Sequence, residues 1–302
     1  PVLGLLLLAF FVPQYWRKVM VITFVMGMMA LSWDFMASCG LTSLGQALFF
    51  ALGAYSAGAM NHYFGLPIYL SIPLGTIIGA IISTACIYPT LGLRGIYFSV
   101  VTLIIQLMLM RIVETTGIFG GTEGITGLSP FPGIIVTMAV SMIALWLTFF
   151  GLRRLIDSDY GHIFVALKDN DRAVEASGLS IRWFKVQAIF IGSGVCCFSG
   201  AFMTHYYMSI GMSAFAIDLS IFPIAASVVG GMGTLAGPLL GAIILGPLSE
   251  ALRAFGSYRV VIYAALLGTF IVTLPEGLFP YLARKYQQIE RWVEAPGGIS
   301  ED

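Results

Sequence analysis

Charge is what this sequence has least of. Of its 302 residues only 10% are Asp, Glu, Lys or Arg, where an average soluble domain carries roughly 25%. Too few polar side chains remain to cover a folded surface in water, which excludes an ordinary soluble enzyme. Fifteen basic and fifteen acidic residues cancel, so nothing in the charge balance points to nucleic acid as a partner. Cysteine is scarce as well. Cys39 and Cys86 stand alone inside apolar runs and Cys196 and Cys197 are adjacent in another. Without CxxC spacing or a neighbouring histidine, they read as small buried hydrophobes rather than a disulfide framework. His62, His162 and His205 are scattered and make no metal site. No HExxH, GxSxG or Walker pattern occurs, so the chain offers no catalytic constellation and no cofactor of its own.

What is abundant is apolar. Hydrophobic residues make up 58% and aromatics 13%, with 35 glycines, the bias of transmembrane helices and their interfacial belts. Runs approaching or exceeding the ~20 residues of a membrane span cover 19–38, 47–63, 68–93, 97–113, 131–151, 186–208, 234–252 and 260–274. The run 219–229 is shorter and ends in Gly230-Gly231-Met232-Gly233. The opening run, 2–12, is also short. Because the chain begins with Pro1 rather than Met, that run is read as a helix starting further upstream, not as a signal peptide. Helix-length hydrophobicity without period-two alternation excludes an outer-membrane barrel. The expected fold is all-α: a polytopic integral membrane protein of about ten transmembrane helices, forming a single domain over 1–302.

One stretch breaks the pattern. Between Gly151 and Lys185 lie Arg153, Arg154, Asp157, Asp159, Lys168, Asp169, Asp171, Arg172, Glu175, Arg182 and Lys185, eleven of the thirty charges. This hydrophilic loop, 152–185, cannot lie in the bilayer core. Its basic residues place it in the cytoplasm, as Arg284, Lys285 and Arg291 do for the tail 281–302. Counting from that anchor puts both termini and Arg94 inside and 117–129 outside. Arg17 and Lys18 then fall outside, against the bias.

Within the loop, residues 161–168 can form about two turns with Ile163, Phe164 and Leu167 on one apolar side. Asp169, Asn170 and Asp171 are natural N-cap types for a second short helix over 172–177, and Gly178 suits a C′ position with positive φ. The result is an apolar knob with a charged collar. Charges of both signs suit a protein groove better than an anionic membrane surface, which favours a purely basic face. Two Gly-punctuated clusters, 40–46 and 230–241, fit close helix packing or backbone beside a translocation path. Ionisable residues near or within spans are Asp34, Arg111, Glu114, His205, Asp218, Glu250 and Glu276. Arg111 and Glu114 are spaced to pair, and these two with Asp218, Glu250 and Glu276 are expected at helix ends. Asp34, deep in its run, needs either an interface or a polar cavity.

These residues resemble the permeases of branched-chain amino acid ABC importers, closest to the M-subunit type. The resemblance is carried by Gly40-Leu-Thr-Ser-Leu-Gly-Gln46 running into Phe49–Tyr55, by Leu93-Arg94-Gly95-Ile96-Tyr97, and by Gly120-Gly-Thr-Glu-Gly-Ile125. It continues through residues 161–185, Val228–Pro238 and Leu274-Pro275-Glu276-Gly277-Leu278, and runs in order from about Val19 to Pro280. The chain departs from the pattern at Ile96, at 104–107 and at Leu274, and in lacking an Asn near Asp34.

The resemblance implies a permease subunit in a bacterial plasma (inner) membrane, working with a second homologous permease, two ATP-binding subunits, an extracytoplasmic binding protein and membrane lipid. ATP and Mg would be held by the partner ATPases. The substrate would be a branched-chain or related hydrophobic amino acid, with urea or short amides as the alternative within the class. Gly161, Ile163, Phe164, Leu167, Lys168, Asp169, Asn170, Asp171, Arg172, Glu175 and Gly178 would couple to the ATPase, with Ile163, Phe164 and Leu167 as the buried contact. Phe164→Asp would then spare insertion and abolish coupled ATP hydrolysis. Asp34, Ser43 and Gln46 are the expected path residues. The reading from another class is an ion-coupled secondary transporter using Asp34 or Asp218.

Overall fold

The computed structural model describes residues 13–169, 171–252, 265, 268–270, 272–273 and 276–292. Eleven α-helices lie among them: α1 (Gln14–Ser38), α2 (Gln46–Phe64), α3 (Ile68–Ile87), α4 (Ile96–Thr116), α5 (Ile134–Ile156), α6 (Asp159–Asp169), α7 (Asp171–Ala176), α8 (Ile181–Tyr207), α9 (Asp218–Gly230), α10 (Ala236–Ala251) and α11 (Leu278–Trp292). The only sheet among the described residues is a two-residue antiparallel pair, β1 (Ile125–Thr126) with β2 (Ser209–Ile210).

Six helical stretches are long and apolar enough to cross a membrane: Gln14–Ser38, Ile68–Thr90, Ile96–Thr116, Ile134–Ile156, Ile181–Tyr207 and Met212–Gly230, with Ala236–Ala251 shorter. The expected count of about ten is not reached among the described residues. Run 2–12 lies outside them, as does most of 260–274. The run 68–93 is shorter as a helix than it reads, because after Ile87 the chain tightens into a 3₁₀ turn, Tyr88–Thr90. In contrast α5 and α8 outrun their apolar stretches. Arg153 and Arg154 sit in the last turn of α5, where cations complement the helix dipole, and Arg182 and Lys185 open α8.

Helix α2 is the centre of the bundle, packed chiefly on α8 and α3, while α1 packs on α5, α8, α9 and α10. Helices α2 and α8 cross with backbones nearly touching. A Cβ at Gly53 would overlap the Cys197 backbone, and one at Gly200 would overlap the Phe50 carbonyl. Cys197 and Cys196 sit in this seam as buried thiols donating to the carbonyls of Phe49 and Gln46. Helix α4 is built inside out. Its buried residues are Phe98, Ser99, Thr102 and Gln106, a stripe at helical spacing that is mostly polar, while Ile104, Leu107, Met108 and Ile112 are exposed. That arrangement suits a helix whose surroundings are lipid.

The helix ends sort into two poles. At one, which carries Arg94, Arg153, Arg154 and Lys168, the turn after α1 meets α6, with Gly40 against the Lys168 backbone. At the other, β1 and β2 tie the segment after α4 to the end of α8. There Asn61 exchanges hydrogen bonds with Ser129 at 3.0 Å, and His205 Nδ1 lies 2.9 Å from the Ser129 carbonyl, so that nitrogen carries the proton.

Candidate coupling segment and membrane path

Between α5 and α8 the charged stretch folds as two short helices, α6 and α7. Gly161 is required at the start of α6, because a Cβ there would overlap the carbonyls of Leu155 and Ile156. Gly178, following α7, has φ +80°, as its C′ role demands. Asp171 opens α7 and Arg172 follows it, Asp169 ends α6, and Asn170 lies outside the described residues.

The apolar side of α6 does not face outward. Phe164 and Leu167 are each 2% exposed, and Val174 of α7 is buried too. The Phe164 ring meets Phe35 of α1 edge-on at 5.8 Å and Phe184 of α8 at 6.1 Å. This corrects the expectation that Phe164 and Leu167 supply the contact to a partner: they are the root of the knob, seated in the chain's own core. Ile163 is half-buried. The exposed residues of α6 and α7 include His162, Val165, Ala166, Lys168 and Glu175.

One residue before Phe35 stands Asp34, fully buried. Its two carboxylate oxygens accept the backbone N–H groups of Gly233 at 2.7 Å and Leu235 at 3.2 Å. Leu235 holds φ +54° and ψ −42°, a sparsely populated positive-φ conformation that costs a non-glycine residue of order 1–3 kcal/mol. The carboxylate thus clamps a strained turn between α9 and α10, and the glycine cluster 230–241 is its counterpart. Asp34 satisfies the requirement for polar company with backbone donors rather than with an open cavity.

Ser43 and Gln46 belong to a buried polar network. Trp33 Nε1 donates to the Ser43 carbonyl at 2.7 Å. Gln46 Nε2 donates to Ser32 Oγ at 2.9 Å, and that hydroxyl donates to the Gly192 carbonyl at 2.7 Å. The Leu44 N–H reaches Thr102 Oγ1 at 3.2 Å. The segment 40–46 is therefore irregular backbone covered by protein, the condition under which such backbone is tolerated at depth. Asp34, Ser43 and Gln46 are all buried, so in this conformation none of them faces an open path.

A second break was not legible in the sequence. After α8 the chain passes through β2 and a 3₁₀ turn, Met212–Phe215, before α9 begins at Asp218. Gln106, at the midpoint of α4, holds both sides: its Nε2 donates to the Phe215 carbonyl at 3.0 Å and its Oε1 accepts from Ser220 Oγ at 2.8 Å. Ser220 Oγ in turn accepts the Ala47 N–H at 2.9 Å. The first turns of α2 and α9 thus meet at the middle of α4. Above them a cleft of about 560 Å³ opens at the pole opposite the basic one, with Met26, Phe50, Met203, Thr204, Ser213, Asp218 and Leu219 on its walls.

Apolar helices with polar faces turned inward, two helix starts meeting at mid-depth and a two-helix appendage at the basic pole define a multi-pass membrane protein of the permease class. The chain belongs to the family described as branched-chain amino acid transport system / permease component, whose model matches residues 16–274. That family comprises permease subunits of ABC transporters. The chain is 27% identical over 275 residues to the high-affinity branched-chain amino acid transport system permease protein LivM of Escherichia coli, covering 80% of this chain and 64% of that one. It is likewise 27% identical over 195 residues to the probable branched-chain amino acid transport permease protein LivM of Methanocaldococcus jannaschii, covering 61% of this chain and 56% of that one. To the ribose import permease protein RbsC of Haemophilus influenzae it is 26% identical over 221 residues, covering 67% of each. The chain thus spans about 64% of the length of its Escherichia coli relative.

Proposed function

We propose that this chain is one permease of an ATP-driven importer in a bacterial plasma membrane, paired with a second, homologous permease, served by an extracytoplasmic binding protein and driven by two ATPase subunits docked on α6 and α7. The substrate is a branched-chain or related hydrophobic amino acid, an assignment supported by the relatives named for that transport. The basic pole faces the cytoplasm, as the excess of Lys and Arg there favours.

The observation that carries the reading is the seat of Phe164 between Phe35 and Phe184. A cytoplasmic appendage that merely lay on the membrane would need no ring wedged between two spanning helices. As a lever it does. Force on the exposed side of α6 passes through Phe164 to Phe35 of α1 and to α8, and the residue before Phe35, Asp34, holds the turn that joins α9 to α10. The ATPase-facing surface then comprises His162, Val165, Ala166, Lys168 and Glu175, with Asp169, Asp171 and Arg172 at the bend. Ion coupling through Asp34 loses support, because its carboxylate is committed to two backbone N–H groups.

The test is a pull-down of the tagged chain from gently solubilised native membranes in the presence of an ATP analogue. A second permease and ATP-binding subunits among the captured proteins, identified by mass spectrometry, are the expected outcome. A stable chain with no ATPase attached would overturn the reading in favour of a secondary transporter.

A further inference from the structure

The cleft at the pole opposite α6 holds a group that the coupling scheme does not use. Asp218 opens α9 and is exposed to the cleft. It is the only charged residue among the described lining residues. No basic side chain among the described residues pairs with it. It is also deep. Twelve residue steps along α9 separate it from Gly230 at the basic pole, ~18 Å at 1.5 Å per residue, more than half of a hydrocarbon core about 30 Å thick. Gln106 bonds to the Phe215 carbonyl on one side of it and accepts from the Ser220 hydroxyl on the other. A carboxylate at such depth is costly and has a cation as its natural partner. Among the described residues none supplies it, and the cleft leaves room for one from outside.

The geometry points to Asp218 as the cation-binding carboxylate of this cleft, with the ammonium group of an α-amino acid as its ligand. The apolar wall of Met26, Phe50, Met203 and Leu219 receives the aliphatic side chain, a combination of one charge and much apolar surface usual for small-molecule sites. The opening N–H groups of α9 are already used, Leu219 donating to the Ala216 carbonyl and Ser220 to that of Ile217. The Thr204 hydroxyl is committed to the Gly200 carbonyl at 3.0 Å, so the ligand's carboxylate is left to water. An inorganic coupling ion shares the positive charge but has no use for the apolar wall. The choice of an amino acid rests on the importer reading; the cation site does not.

Ser213→Cys places a thiol on the cleft wall without touching Asp218. In membrane vesicles holding the assembled complex, its modification by a cationic and by an anionic methanethiosulfonate reagent is compared, with the Ser213 protein as background. The cationic reagent is expected to react roughly tenfold faster, as a focused charge of one sign produces. Asp218→Asn should erase that preference. Leucine should slow the reaction, while the 2-oxo acid with the same side chain, which lacks the ammonium, should not. Equal rates for the two reagents would overturn the cation site. Protection by the oxo acid equal to that by leucine, or protection by sodium in place of leucine, would overturn the ammonium assignment. None of these readouts involves ATP hydrolysis, so a failure of the importer reading shows separately, as an absent ATPase in the pull-down.

Discussion

Asp34 and Phe164, each buried and each joining parts of the chain far apart in sequence, are where single substitutions act most sharply. Asp34→Ala leaves the N–H groups of Gly233 and Leu235 without an acceptor, at about 1–3 kcal/mol each, and releases the strained Leu235 turn. Asp34→Asn keeps one acceptor and sets an NH₂ against the other donor, so it should cost less. The expected order of apparent melting temperature in detergent is wild type, then Asn, then Ala, and transport activity should follow it. Equal melting of all three would mean that the clamp contributes nothing to the fold. For Phe164 the structure reverses the expected effect of Phe164→Asp. A charge placed between Phe35 and Phe184 should reduce the yield of folded protein rather than spare it, whereas Phe164→Leu keeps most of the buried area and should fold. Phe164→Ala belongs with truncations costing about 3–5 kcal/mol.

At the scale of elements, docking and folding come apart along one helix. Val165 is 39% exposed beside the buried Phe164, so Val165→Asp should change stability by no more than about 0.5 kcal/mol. It should nonetheless lower substrate-stimulated ATP hydrolysis at least roughly tenfold, the size expected when a contact at the centre of an interface is lost. Unchanged hydrolysis in that variant would remove α6 from the docking surface. The existence of α6 and α7 and the spans around them was legible in the sequence, because continuous apolar runs and capping residues report local structure. Which way Phe164 points was not. An apolar stripe on an amphipathic helix has the same spacing whether it faces its own protein or a partner. The partners of Asp34 were hidden for another reason: they lie 199 and 201 positions away, and no local pattern encodes that contact. The α2–α8 crossing stands between these cases. Glycine is abundant along the chain, but only the structure pairs Gly53 and Gly200 with the backbone opposite. Gly200→Val should therefore fall in the range of overpacked cores, about 1–3 kcal/mol or more, read as a lower melting temperature in detergent.

Considered whole, the molecule is tied together differently at its two poles. At the pole away from α6, partly buried polar bonds among Asn61, Ser129 and His205 and the β1–β2 pair hold the ends of α2 and α8 to the segment before α5. At the basic pole the corresponding links are a wedged ring and a carboxylate on a strained turn, both lying on the line from α6 into α1. Motion driven from α6 should then be concentrated near Asp34 and fade toward β1 and β2. Ile125 and Ile210 are directly opposite in that pair, the relation in which a cross-strand disulfide closes most readily. Ile125→Cys with Ile210→Cys, oxidised in membrane vesicles, should leave uptake within about twofold of the reduced protein. Because Ile210 also borders the cleft, the same cross-link would stop uptake if the rim had to open by separating β1 from β2. Loss of transport on oxidation, restored by reductant, would thus move the working hinge from the basic pole to the cleft.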